Sequence, residues 1–306
     1  MFCPMPSAFA ADLSHNALVA VTGDDARPFL QGQFTSDVEA LGVGDAQWSG
    51  WCTAKGRLVA TFLVLRRANG FLLMLPAEIA AAFAKRLSMF VLRSKVKIAD
   101  ASGELARFGI AGEGAASLVR ARWGGVPAPM KSLERDGATC VAIDEERFVA
   151  FGAAALAAGF PRGTQDQWEW ALIQAGVPVV LAATQEAFVP QMANLELVGG
   201  VSFKKGCYPG QEIVARTQYR GILKRRMALA HVGAGERPQP GQNVYSAAFG
   251  EQSAGTIVNA APSPAGGYDA LVVAQVESLE RGDLRWKSPD GPAMEIRRAP
   301  ASAGAV

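Results

Sequence analysis

Lys204-Lys205-Gly206-Cys207-Tyr208-Pro209-Gly210-Gln211-Glu212, followed by Arg216, Tyr219, Arg220 and Gly221, packs a thiol, a carboxylate, an amide and several cations into a few residues. Two glycines and a proline disfavour a helix or a continuous strand, so Cys207 is expected on a tight, constrained turn. Positive charge from Lys204 and Lys205 would stabilise its thiolate. A surface turn carrying an incidental cysteine explains the same residues, because one reactive-looking thiol identifies no chemistry.

Working outward, Glu212 and Arg216 lie four residues apart. A helix starting at Glu212 would hold them as an exposed ion pair, and a catalytic role is the alternative. Between residues 204 and 226 the cations Lys204, Lys205, Arg216, Arg220, Lys224, Arg225 and Arg226 face one acid, Glu212. Such a run is either a solvated basic face or an anion site. Tyr208 and Tyr219 are its only aromatics, too few for a dedicated RNA groove.

The 306 residues suffice for two or three domains with a substantial core. Half are hydrophobic and 19% charged, the balance of a globular protein. A net charge of +2 gives no global affinity for nucleic acid. Cys3, Cys52, Cys140 and Cys207 are widely spaced, which offers neither a zinc ribbon nor a disulfide framework and suggests a reducing compartment. Two histidines, His15 and His231, leave little material for a histidine-rich metal site. The first ten residues lack a basic segment and a continuous apolar run, so no signal peptide is read there, and no stretch reaches the ~18 apolar residues of a membrane span. A cytoplasmic protein without a membrane partner or a permanently bound metal is expected.

In chain order, Ala17–Thr22 reads as a strand, with Asp24 or Asp25 capping a helix that contains Phe29 and Leu30. Leu30–Val38, Leu-Gln-Gly-Gln-Phe-Thr-Ser-Asp-Val, reads as a loop rich in side-chain to backbone turns. Strands follow at Trp48–Thr53, Leu58–Leu65 and Phe71–Leu75, then a helix at Ala77–Phe90. Short strands at Val96–Ile98, Phe108–Ile110, Thr139–Ile143 and Arg147–Phe151 flank weaker helices at Ala115–Ala121 and Ala153–Ala158. Thr164–Gly176 is a well-marked helix capped by Thr164 or Asp166. On it Trp168, Ala171, Leu172 and Ala175 share one face, which makes Trp168 either a core residue or the neighbour of a planar ligand. Runs at Ala228–Val232, Asn243–Ser246, Thr256–Asn259 and Leu271–Glu277, separated by Gly/Pro-rich turns, suit a small β-barrel. The tail, Ala299–Val306, is expected to be disordered. The fold class is therefore α+β followed by all-β, divided at 1–226 and 227–306.

The motif Lys205-Gly206-Cys207-Tyr208-x-Gly210-Gln211-Glu212, with Leu30–Val38, Cys52–Arg57 and Trp168–Pro178, resembles the YgfZ-type folate-binding family, relatives of the glycine-cleavage aminomethyltransferases. The resemblance implies a three-domain ring of interleaved ferredoxin-like subdomains with a C-terminal barrel, around a folate-sized hole. It implies tetrahydrofolate or a derivative as ligand, with contacts from Trp168, Gln174, Asp37, Arg216 and Tyr219. It makes Cys207 the essential thiol and iron–sulfur proteins or their assembly factors the partners, with an indirect effect on tRNA modification. Three departures stand out. Lys55–Thr61 carries no carboxylate where the aminomethyltransferases carry their aspartates, which disfavours proton abstraction there. Gln174 replaces a glutamate that can accept from a pterin. A family tryptophan near the N-terminus is missing, with Asn16 near its place. A folate-dependent one-carbon transferase and a tRNA-binding module are the alternative functions.

Overall fold

The structure, a computed structural model, describes residues 5–220, 223–233 and 235–298. Cys3, Gly221 and the 299–306 tail lie outside these residues. The chain begins with β1 (Phe9–Asp12), β2 (Asn16–Thr22), α1 (Ala26–Gln31), β3 (Ala46–Cys52), β4 (Leu58–Arg67), β5 (Gly70–Pro76), α2 (Ala77–Ser88) and β6 (Lys97–Asp100). It continues through β7 (Ala106–Ala111), α3 (Ala115–Trp123), β8 (Ser132–Arg135), β9 (Ala138–Ala142), β10 (Arg147–Gly152) and α4 (Gln165–Gln174). Last come α5 (Gln211–Arg220), β11 (Arg225–Val232), β12 (Asn243–Tyr245), β13 (Gly255–Pro262), β14 (Tyr268–Gln275), α6 (Val276–Arg281), β15 (Arg285–Trp286) and β16 (Met294–Arg298).

These strands form three antiparallel sheets, in the orders β3-β4-β5-β2-β6, β1-β7-β10-β9-β8 and β15-β12-β13-β14-β11-β16. The first two are interleaved. β1 pairs with β7 in the second sheet, while β2, only a short turn later, pairs with β5 and β6 in the first. Alternation along each strand then supplies two apolar faces per sheet. On β2, Ala17, Val19 and Val21 meet Ile79, Phe83 and Leu87 of α2, whereas Leu18 points the other way, toward Phe9, Val149 and Trp168. The first two sheets thus pack face to face, and α3 covers the far side of the second through Val119 and Trp123.

The third sheet curls into a half-barrel around Val244, Val272, Leu284 and Trp286. Its edge strands are drawn together where Trp286 N donates to Pro292 O and Met294 N to Leu284 O. α4 lies between this sheet and the others. Trp168 and Leu172 enter the core of the first two sheets, while Trp170 and Ile173 enter a core with Met227, Leu271 and Val273 of the half-barrel. The α+β class with a C-terminal all-β unit is what the sequence pattern indicated. The division expected at 226/227 falls inside β11. The helix expected at Ala153–Ala158 is a single 3₁₀ turn, Ala154–Ala157. Asp25 occupies the cap position of α1 without capping it, because its carboxylate accepts from Lys95 N at 2.7 Å instead. No described helix is long and apolar enough to cross a membrane.

Candidate ligand cavity and cysteine loop

α4 begins with a reciprocal cap, in which Thr164 Oγ1 accepts from Gln167 N and Gln167 Oε1 from Thr164 N. That cap sets which side chains face which sheet. Trp168 is 1% exposed and lies directly on β7, so close that a Cβ added to Gly109 would sit 2.4 Å from the indole. Its edge and the side chains of Glu169, Leu172 and Ile173 form one wall of a cavity of about 440 Å³ between α4 and residues of the first and third sheets. That volume lies within the range of small-molecule sites.

Opposite α4 stand His15 and Asn16, at the turn between β1 and β2, and Asn259 on β13. The turn is fixed through its backbone. Arg107 donates to the carbonyls of Ser14 at 3.1 Å, Asn16 at 2.7 Å and Ser102 at 2.8 Å, and Ala77 N donates to His15 O at 2.9 Å. Burial holds the His15 imidazole below its ordinary pKa, against the opposing pull of the Glu169 and Asp12 carboxylates. Asn259 exchanges two hydrogen bonds with the backbone of Val179, each 2.9 Å, and so ties the half-barrel to the segment after α4. At the rim, Arg237 donates to Asp166 at 2.6 Å, to Glu169, and to Ala260 O at 2.9 Å.

Gln174 does not line this cavity. Its amide donates to Asp269 Oδ2 at 3.0 Å, beside Trp170 Nε1 at 2.7 Å, and the other Asp269 oxygen meets His231 Nδ1 at 2.7 Å. Gln174 and Trp168, both expected as ligand contacts, therefore face different neighbours. Six residues along an α-helix rotate a side chain to a direction roughly 120° away, here toward the half-barrel. His231 is likewise held by Asp269. Asp37 lies in the loop after α1, accepting from Gln31 Nε2 at 3.0 Å, and also does not line the cavity.

The second locus is the Cys207 loop. Lys205 is 8% exposed, and its ammonium donates to Gln31 O at 2.5 Å and Phe34 O at 2.6 Å, lying 5.0 Å from the Tyr208 ring centroid. Burial lowers its pKa to about 8, with the Asp37 and Glu39 carboxylates opposing. Tyr208 is buried too, and desolvation, with Cys52 adding to it, pushes its hydroxyl up. Burial drives the Cys52 and Cys140 thiols to about 12, which makes both inert core residues. Cys207, by contrast, is an exposed free thiol.

Gly210 adopts φ +80°, and a Cβ there would lie 2.4 Å from Thr53 O. The loop therefore rests on the turn joining β3 and β4, which brings Cys52–Arg57 against the cysteine motif. α5 starts at Gln211, and the Gln191 amide donates to Val214 O at 2.7 Å to pin its first turns. Gln211 Nε2 reaches back to Lys205 O at 3.4 Å. Glu212, Arg216 and Tyr219 border a shallow depression on the outer face of α5, and Tyr219 is 70% exposed with its ring near Phe203. Among the described residues Glu212 and Arg216 form no ion pair; the expected exposed pair is absent. Gly206 and Lys204 are exposed beside the thiol. Cys207, Arg216 and Tyr219 contribute nothing to the cavity wall. The residues expected as ligand contacts, reactive thiol and motif thus lie in separate places, a cavity with Trp168, a loop with Lys205, Cys207 and Tyr208, and a helix face with Arg216 and Tyr219. Glu169, Arg237 and Asp269 were not anticipated. The lone acid in Tyr268-Asp269-Ala270-Leu271, opposite His231 on the neighbouring strand, was the available signal for the last.

Comparison with known proteins agrees with this architecture. Residues 6–129 match the GCVT N-terminal domain family. The tRNA-modifying protein YgfZ of Serratia proteamaculans is 33% identical over 299 residues, 94% of this chain and 90% of that protein. Its namesake from Colwellia psychrerythraea is 30% identical over 267 residues, covering 83% and 81%. Among solved structures, the glycine cleavage system aminomethyltransferase T of Bartonella henselae superposes with a TM-score of 0.77 at 17% identity, covering 97% of this chain and 86% of that one. That likeness establishes the aminomethyltransferase T-protein fold.

Proposed function

The chain belongs to the YgfZ family, and from that premise we propose that it is a folate-binding accessory protein for the assembly or repair of iron–sulfur proteins. Tetrahydrofolate or a derivative would occupy the cavity beside Trp168, and Cys207 would meet the partner protein. The observation that carries the reading is the division of labour just described, a partly open cavity beside Trp168 and, apart from it, an exposed thiol on a loop seated on the β3–β4 turn. An effect on tRNA modification, the activity in the relatives' name, would follow indirectly through a cluster-dependent enzyme. We place the protein in the cytoplasm, where an exposed free cysteine such as Cys207 stays reduced.

The cavity fits the ligand class in its chemistry. Trp168, Leu172 and Ile173 offer an apolar wall, and His15 and Asn16 a polar edge. Efficient aminomethyl transfer is not part of the proposal. Ala60 and Thr61 are buried on β4, and the Thr61 hydroxyl is used by Pro178 O at 2.9 Å and Val180 N at 2.9 Å, so this stretch holds no base.

The test is a titration of reduced folates followed by indole fluorescence, alongside Cys207→Ala in cells lacking the native protein. The variant is expected to bind folate as the parent does and to fail to restore a cluster-dependent enzyme. Full restoration by Cys207→Ala, or the absence of folate binding by the parent, overturns the proposal.

A further inference from the structure

Two polar side chains in the cavity are left without work. The carboxamide of Asn16 and the imidazole of His15 both line it, both are half-buried, and neither makes a hydrogen bond to protein among the described residues. Their neighbours differ. Arg237 is consumed by Asp166, Glu169 and Ala260 O, Glu169 by Arg237 and Gln165, and Asn259 by Val179. Asn16 is also aimed by its strand. It shares a face of β2 with Leu18, the face turned toward Trp168, because side chains two apart on a strand point the same way. The backbone around the pair is held by Arg107 and Ala77, so neither side chain is needed to shape the turn.

A carboxamide presents a donor and an acceptor side by side, and a lactam presents the complementary acceptor and donor in the same spacing. Two antiparallel hydrogen bonds then fix the ring's register. An uncharged imidazole beside it adds one donor and one acceptor, and burial of His15 favours that uncharged form. We propose that Asn16 and His15 are the recognition edge of the cavity, reading the lactam and adjoining amine of a 2-amino-4-oxo pyrimidine-fused ring whose side rests on Trp168. Pterins and guanines share this edge. The assignment deepens the reading of the cavity as a folate site, and it takes the place given to Gln174, which lies outside the cavity wall and donates to Asp269.

Calorimetric titration of the full chain with tetrahydrofolate, pterin and guanosine tests it, using Asn16→Leu, His15→Phe and the conservative Asn16→Asp. Asn16→Leu and His15→Phe are each expected to weaken binding by roughly tenfold, since each strips bonds from a buried polar edge. Asn16→Asp loses the donor that meets the lactam oxygen but offers two acceptors to the lactam N–H and the adjoining amine, so its binding is expected to depend more steeply on the 2-amino group than the parent's, and a lactam methylated on nitrogen should bind the parent poorly. Near-ultraviolet dichroism of each variant monitors folding at Trp168. If tetrahydrofolate binds all variants as it binds the parent, this inference is wrong while the folate reading stands. If tetrahydrofolate fails but pterin or guanosine binds in a manner that depends on Asn16 and His15, the folate reading is wrong and the inference stands. If no lactam binds the parent, both are wrong.

Discussion

Gly109 has room for a hydrogen and little else, since a methyl group there would press into the Trp168 ring at 2.4 Å. Gly109→Ala is expected to cost about 1–3 kcal/mol, the range for overpacking a filled core, and to weaken ligand binding by displacing the indole. Urea denaturation and folate titration of the variant measure the two effects. Lys205 makes a different prediction. Its folded pKa, about 8, is below the ordinary 10.5, so between these values the unfolded chain holds a proton that the folded chain has released. Stability then rises with pH across that window through this group, and the unfavourable burial of the cation is fully present below about 8. Lys205→Met is expected to remove that rise, as chemical denaturation at pH 7.5 and pH 10 would show. An unchanged slope in the variant would sink the assignment. The conspicuous composition of the cysteine motif and of Leu30–Val38 was legible in the sequence. That the ammonium of one is held by the carbonyls of the other was not, because their contact spans more than 170 residues and leaves no periodic trace.

α4 shows what periodicity reads well and where it stops. Its Thr164 cap and its end near Gly176 follow from residue type, and the apolar face with Trp168 follows from spacing. The partners of its other face depended on a sheet that spacing cannot supply, so the contact of Gln174 with Asp269 left no trace in the sequence. Asp269 is the anchor on that side. Asp269→Ala would leave the Trp170 indole N–H and the Gln174 amide without an acceptor at a buried junction, and a loss of about 3 kcal/mol or more is expected in thermal or urea unfolding. The seat of the cysteine loop gives a second prediction at this scale. Gly210→Ala strains a left-handed residue and forces its methyl onto Thr53 O, so the loop should lift from the β3–β4 turn. The rate at which Cys207 reacts with an aromatic disulfide is expected to change several-fold, while folate affinity stays at the parent value. A changed affinity would mean that loop and cavity are mechanically joined.

Across the molecule, the α+β region and the short strands of the half-barrel were visible as alternating patterns, but the assignment of strands to sheets was not. β1, Phe-Ala-Ala-Asp, escaped notice because alanine has weak strand preference and the stretch is only four residues long. The contacts of α4 with all three sheets imply one cooperative unit. Far-ultraviolet dichroism and indole fluorescence are therefore expected to report coincident unfolding midpoints, and two separated transitions would show that the half-barrel melts by itself. The interleaving of the first two sheets carries a further consequence for how the protein is made. Phe9 of β1 pairs with Ala111 of β7, 102 positions later (111 − 9). A ribosome must therefore extrude both the first sheet and β7 before the amino-terminal strand can dock. Until then the nascent chain presents an unpaired edge and the bare apolar face of the first sheet, a state open to misassociation. Pauses in translation before β7 has left the ribosome should lengthen that exposure, whereas pauses after β10 has left it find both sheets already complete.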